Sequence, residues 1–161
     1  MAKPLIMVVE DEVNYADNIV ETIKSTTRYD ALAAYSAKEA FAQLDNHNKS
    51  WNPLRNRIRL LLLDIKMPGM DGLQFLAEMR KKFPAEKIGV IMVTAYEDEE
   101  KWDKATDGWV AGYINKPFDP LTLIAAIDRY FSSPDAFVDM TLETFERHIQ
   151  KKEEFKQSKQ N

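Results

Sequence analysis

Short apolar runs alternate along the chain with stretches whose apolar residues recur at three- and four-residue spacing. Leu5-Ile6-Met7-Val8-Val9 is uninterrupted and predicts a buried strand. After Glu10-Asp11, the residues Val13, Ala16, Ile19, Val20 and Ile23 share one face of a predicted helix. Asp30 to Tyr35 is a weaker strand. Ser36-Ala37-Lys38-Glu39 has the form of a capping box and starts a short helix to about Leu44. The polar stretch 46–57, with Trp51 and Pro53, reads as a loop whose tryptophan caps the core or marks a partner contact. Arg59 to Leu63 is the third strand. Met67-Pro68-Gly69-Met70-Asp71-Gly72 is turn chemistry. A helix follows to about Phe83, with Leu73, Leu76, Ala77 and Phe83 inward. Ile88 to Val93, a charged helix from Glu97 to Asp107, and the short strand Tyr113-Ile114 come next. Asp119-Pro120 caps a last helix that presents Leu121, Ile124, Ile127 and Phe131.

Five strands thus alternate with five helices. Continuous apolar strands with helices between them predict a parallel sheet covered on both faces. Right-handed crossovers make it a doubly wound α/β fold, whose functional crevice lies beyond the carboxyl ends of the strands. The length of 161 residues fits one domain with about thirty to spare.

Composition narrows the chemistry. The chain has no cysteine, which removes disulfides, thiolate ligands and thiol nucleophiles. His47 and His148 are too far apart to suggest a histidine metal cage, and His148 is expected at the surface. A net charge of −4 and a pI near 5.3 argue against a chain built to grip nucleic acid. The apolar runs are too short for a membrane span, and the N-terminus shows no secretory pattern. A soluble, cytoplasmic protein without direct nucleic-acid or membrane contact is the expectation.

The candidate chemistry sits at the predicted strand ends. Glu10, Asp11 and Glu12 follow the first strand and Asp64 follows the third. The fourth ends at Thr94, and the fifth leads to Lys116-Pro117. Each alone reads as a turn or capping residue. Together they place acids, a hydroxyl and a lysine in one crevice. Clustered carboxylates repel one another, and oxygen ligands without Cys or His select a hard cation such as Mg²⁺.

The segments Val8-Val9-Glu10-Asp11-Glu12, Leu62 through Gly72, Val93-Thr94-Ala95 and Gly112 through Phe118 resemble a response-regulator receiver domain of two-component signalling, chemotaxis-regulator-like. The intervals of 30 from Asp64 to Thr94 and 22 from Thr94 to Lys116 are similar to that family's. The resemblance covers residues 3–131 and implies a flavodoxin-like (βα)5 sheet in the order 2-1-3-4-5. It leaves 132–161 as a C-terminal extension.

The resemblance implies that Asp64 is the phosphoacceptor, taking a phosphoryl group from a phosphohistidine of a sensor kinase or phosphotransfer protein. It implies Mg²⁺, or Mn²⁺ in its place, held by Asp11, Asp64 and the backbone carbonyl of Lys66, with Glu10 acting through water. Lys116 pairs with a phosphoryl oxygen and with Asp64. Thr94 and Tyr113 form the switch, and the Lys116–Pro117 peptide is cis. The chain is then a phosphoacceptor with autocatalytic phosphorylation and dephosphorylation only, rather than an enzyme. Its output is a downstream protein, an output domain of its own in a longer regulator, or a homodimer formed on phosphorylation. Glu10 departs from the Asp common at its position. Lys66 and Tyr96 flank the phosphoryl position, and a bulky Tyr96 predicts slow self-dephosphorylation.

Beyond Phe131, Ser132-Ser133-Pro134-Asp135 breaks the helix. Val138, Leu142, Phe145 and Ile149 then recur at 4-3-4 spacing, too briefly for a coiled coil, and residues from Gln150 onward are expected to fray. A short amphipathic helix packing on the receiver or on a dimer mate, a linker, and a disordered tail all fit. Two other classes compete for the whole chain. A flavodoxin-like ligand binder wants a phosphate loop where Glu10-Asp11-Glu12 stands. An aspartyl-phosphate hydrolase usually places its nucleophile after the first strand.

Overall fold

A computed structural model of the chain describes residues 2–48, 56–95 and 99–161. Strands β1 (Leu5–Val9), β2 (Asp30–Ala34), β3 (Ile58–Leu63), β4 (Gly89–Thr94) and β5 (Gly112–Asn115) form one sheet. All pairings are parallel, in the order β2-β1-β3-β4-β5. Between them run α1 (Val13–Ser25), α2 (Ala37–Asn48), α3 (Gly72–Lys82) and α4 (Glu99–Asp107); α5 (Pro120–Tyr130) and α6 (Ala136–Gln160) follow. This is the expected doubly wound, flavodoxin-like arrangement with its C-terminal helical extension.

The central strands are apolar because both of their faces are covered. Met7, Val9, Leu61, Leu63 and Met92 point into a core with Leu44, Phe75, Leu76 and Met79 of α2 and α3. Ile6, Val8, Leu60, Leu62, Ile91 and Val93 point the other way, onto Ile19, Ile23, Leu123, Ile127 and, from α6, Met140. Alternation by two along each strand divides the residues between the cores.

Several inward faces differ from the periodic reading. Val13 and Leu121 are exposed, because each lies in the first turn of its helix, beyond the sheet edge. Phe75 and Met79, rather than Ala77, anchor α3. Helix α2 continues to Asn48 instead of ending near Leu44. There the Asn48 side chain donates to the Ile58 carbonyl and accepts from the Ile58 N–H, tying the helix end to β3. Trp51 lies outside the described residues.

The largest correction concerns α6. It is a continuous helix of 25 residues, neither short nor frayed after Gln150. It packs against α4, β5 and α5, covering the flank of the edge strand β5. Its buried residues are Ala136, Met140, Thr144 and His148, whereas Val138, Leu142, Phe145 and Ile149 are exposed. The apolar spacing therefore marked the outer face. The inner face is held by specific polar contacts. Thr144 Oγ1 donates to the Ala111 carbonyl at 3.1 Å, and His148 bonds Asp103 and stacks on Trp102. His148 is thus buried and not a surface residue. Outside the contact, Arg129 of α5 makes a two-pronged pair with Glu143.

Candidate functional site

The strand register brings the acids together. Val9 of β1 pairs with Leu63 of β3, so the next residue of each strand, Glu10 and Asp64, emerges side by side at the carboxyl edge. The ladder continues one step past the strands, with the Asp64 N–H donating to the Val9 carbonyl at 3.0 Å. Across the sheet Thr94 pairs with Asn115, and the Lys116 N–H donates to the Thr94 carbonyl at 3.0 Å. Lys116 is thereby aimed back over β3, and its peptide bond to Pro117 is cis.

The result is an open cleft of about 610 Å³ lined by Glu10, Asp11, Asp64, Lys66 and Lys116, among others. Glu10 is 4% exposed and Asp64 7%, while Asp11 is open to solvent. Lys116 Nζ donates to Glu10 Oε2 at 2.6 Å and to Asp64 Oδ2 at 3.3 Å. Glu10 thus holds the lysine more closely than Asp64 does, because its extra methylene carries the carboxylate toward Lys116.

Burial pushes the Glu10 carboxyl up to about 7; the hydrogen bond from Lys116 opposes this and the nearby Asp64 charge reinforces it. Burial alone would lower the Lys116 ammonium. Its hydrogen bond to Glu10 and the Asp64 charge outweigh that, and its pKa is raised. Three acids converge here, and Lys116 pairs with two of them. A carboxylate oxygen from each of Glu10, Asp11 and Asp64 lies within 4.8 Å of the others. An all-oxygen donor set with surplus negative charge fits a hard divalent cation, as is typical of Mg²⁺ sites.

Two contributors were not singled out in the sequence. Gly72 begins α3 against the backbone of Asp64: a Cβ there would lie 1.9 Å from the Asp64 carbonyl oxygen. Its N–H donates to the Ile65 carbonyl at 2.8 Å, so only glycine lets the helix close over the loop that carries Asp64. The residue was visible only as turn chemistry. Tyr15, in the first turn of α1, lies under Lys116 with Nζ 4.3 Å from the ring centroid. No motif or period in the sequence marks it, since its role depends on where Lys116 lies in the fold.

The two expected switch residues differ from each other in their surroundings. Thr94 is fully buried at the end of β4; its neighbour Ala95 lines the cleft. Tyr113 is half-buried on β5 and stacks on Trp102 of α4, with ring centroids 4.3 Å apart. Tyr96 lies outside the described residues. No helix among the described residues is long and apolar enough to cross a membrane.

Comparison with known proteins agrees with this geometry. The family model of the response regulator receiver domain matches residues 6–128. An uncharacterized 14.6 kDa protein of Leptolyngbya boryana is 30% identical over 138 residues, covering 84% of this chain and 98% of that one. The regulatory protein VanR of Enterococcus faecium is 35% identical over 124 residues, or 76% of this chain but only 47% of its own length. The chain thus spans about half of that regulator. The crystal structure of a CheY-like response regulator receiver domain protein from Methanospirillum hungatei superposes with a TM-score of 0.69 at 25% identity. The match covers 88% of this chain and 99% of that one. With its sheet order, its cleft of acids and a family match over most of its length, this chain belongs to the response regulator receiver domains of two-component signalling.

Proposed function

We propose that the chain is the phosphoacceptor of a two-component relay and that Asp64 receives the phosphoryl group. The observation that carries this is the convergence of Glu10, Asp11 and Asp64 at the carboxyl edge of the sheet, with Lys116 paired to Glu10 and Asp64. A carboxylate oxygen of Asp64 attacks the phosphorus of a phosphohistidine on a sensor kinase or phosphotransfer protein. The O–P bond forms, the N–P bond breaks, and the electron pair leaves on the imidazole. The product is an acyl phosphate. Lys116 pairs with a phosphoryl oxygen, as a compact ammonium can. A bound Mg²⁺ or Mn²⁺ supplies the charge neutralisation that lets one anion approach another. Asp11, Asp64 and the Lys66 carbonyl would hold it, with Glu10 through water. The reading makes the chain a cytoplasmic signalling protein that modifies no separate substrate.

In the same reading the Thr94 hydroxyl donates to the phosphoryl group and draws in the segment after β4. Tyr113 then turns inward and leaves its stack on Trp102. Lys66 flanks the phosphoryl position. Residues 3–131 form the receiver unit. The 132–161 extension docks on it, and the output is a partner protein or a further domain of a longer regulator.

Incubation with a small phosphodonor and Mg²⁺, followed by intact-mass measurement, tests the reading. Wild type gains one phosphoryl group and Asp64→Ala gains none. Equal labelling of the two proteins, or labelling of wild type in EDTA, contradicts it.

A further inference from the structure

The outer face of α6 carries Val138, Leu142, Phe145 and Ile149, each between 41% and 52% exposed. Leu142 and Phe145 continue into a hollow of about 280 Å³ whose other wall includes Trp109 and Val110. Trp109 is 61% exposed and held at φ 55. That left-handed conformation is costly for a bulky side chain, and such strain persists where the surroundings or a function maintain it. A contiguous apolar stripe of this length beside an exposed tryptophan marks an interaction surface.

We propose that this stripe docks a second copy of the chain, the two α6 helices packing antiparallel about a two-fold axis between residues 143 and 144. The 4-3-4 spacing reads the same in both directions. A two-fold axis therefore sets Val138 against Ile149 of the second copy and Leu142 against its Phe145, the self-complementarity an isologous interface requires. Charge fixes the direction. Residues 136–146 hold three acids, Asp139, Glu143 and Glu146, and no base. Residues 147–160 hold five bases, Arg147, Lys151, Lys152, Lys156 and Lys159, against two acids, Glu153 and Glu154. Antiparallel packing lays the acidic half of one helix beside the basic half of the other. Parallel packing would lay acidic half against acidic half and basic half against basic half, with Lys156 facing its own counterpart.

The stripe and the Trp109 hollow from two copies together bury on the order of 1,000 Å², the lower limit for a specific interface. The inner face of α6 stays on its own domain, so the pairing needs no phosphoryl group and is independent of the role proposed for Asp64.

Light scattering on the unphosphorylated full chain tests the proposal first. Wild type runs at twice the chain mass in the micromolar range. Leu142→Glu/Phe145→Glu runs at the chain mass with unchanged helical circular dichroism. The cysteine-free sequence permits a second test by disulfide trapping. Val138 and Ile149 are about 16 Å apart along one helix at ~1.5 Å per residue, beyond disulfide reach. Antiparallel packing predicts that Val138→Cys mixed with Ile149→Cys forms the mixed disulfide and that neither variant efficiently cross-links to itself. A monomeric wild type overturns the proposal. So does a glutamate double variant that remains dimeric, or a Val138→Cys protein that cross-links readily to itself.

Discussion

The carboxyl edge of the sheet and the inner face of α6 both bury polar groups, in opposite ways. At the sheet edge, Glu10 and Asp64 share one half-buried lysine while Asp11 stands beside them, so negative charge is left over. Under α6, Thr144 and His148 each meet a partner of matching character, and no buried side-chain polar atom among the described residues lacks a hydrogen bond. The α6 seat is complete as it stands. The cleft is electrostatically incomplete and is suited to a cation and an incoming phosphoryl group. Residual charge, more than polarity or burial, separates a reactive site from a packing contact.

The largest test of this contrast is Asp64→Ala. It abolishes phosphoryl incorporation, whereas a substitution under α6 such as His148→Ala leaves incorporation at the wild-type level. Loss of labelling in His148→Ala would break the contrast.

Removing the lysine that pairs with Glu10 and Asp64 comes next. Lys116→Ala leaves two buried carboxylates facing each other and destabilises the metal-free protein by about 2–4 kcal/mol at pH 8. The loss is smaller at pH 6, where Glu10 takes up a proton. Urea unfolding at both pH values measures it, and an equal loss at both contradicts the charge argument.

The α6 seat should respond more mildly. His148→Ala removes the ring on Trp102 and a hydrogen bond to Asp103, and lowers stability by about 1–2 kcal/mol. Faster amide exchange should appear in α6 and not in the central strands. A uniform increase through β1 and β3 would show that α6 is not separately seated.

The smallest effect is the pH dependence of the cleft itself. The Glu10 carboxyl, ordinarily near 4.5, is raised to about 7 in the fold. Between those values the folded state binds the proton more tightly than the unfolded chain does. Metal-free stability therefore carries a contribution that falls as pH rises from about 4.5 to about 7. Mg²⁺ competes with that proton, so it should raise the melting temperature more at pH 8 than at pH 6. Glu10→Gln should flatten this difference.

The cleft was legible in the sequence because strand ends in a parallel sheet have fixed positions. Once the family resemblance sets the runs ending at Val9 and Leu63 side by side, Glu10 and Asp64 have to meet, and Lys116 follows from the run through Ile114. Gly72 was visible only as turn chemistry, because its role depends on how closely the Asp64 backbone approaches. Tyr15 was missed because a half-buried aromatic beside a lysine has no sequence period. The α6 face was misread for a related reason. Periodicity reports where apolar side chains lie, whereas this seat is made by Thr144 and His148 meeting Ala111, Trp102 and Asp103 at long sequence separation.

The central claim is that the carboxylate of Asp64 itself carries the phosphoryl group. Borohydride reduction of the phosphodonor-treated protein converts an aspartyl phosphate into homoserine, and peptide mass spectrometry locates it. The account predicts homoserine at position 64, dependent on Mg²⁺ and absent from Lys116→Ala or strongly reduced in it. A reduced residue at Asp11 or Glu10, or a stable phosphoryl group on His148 with position 64 intact, would contradict it.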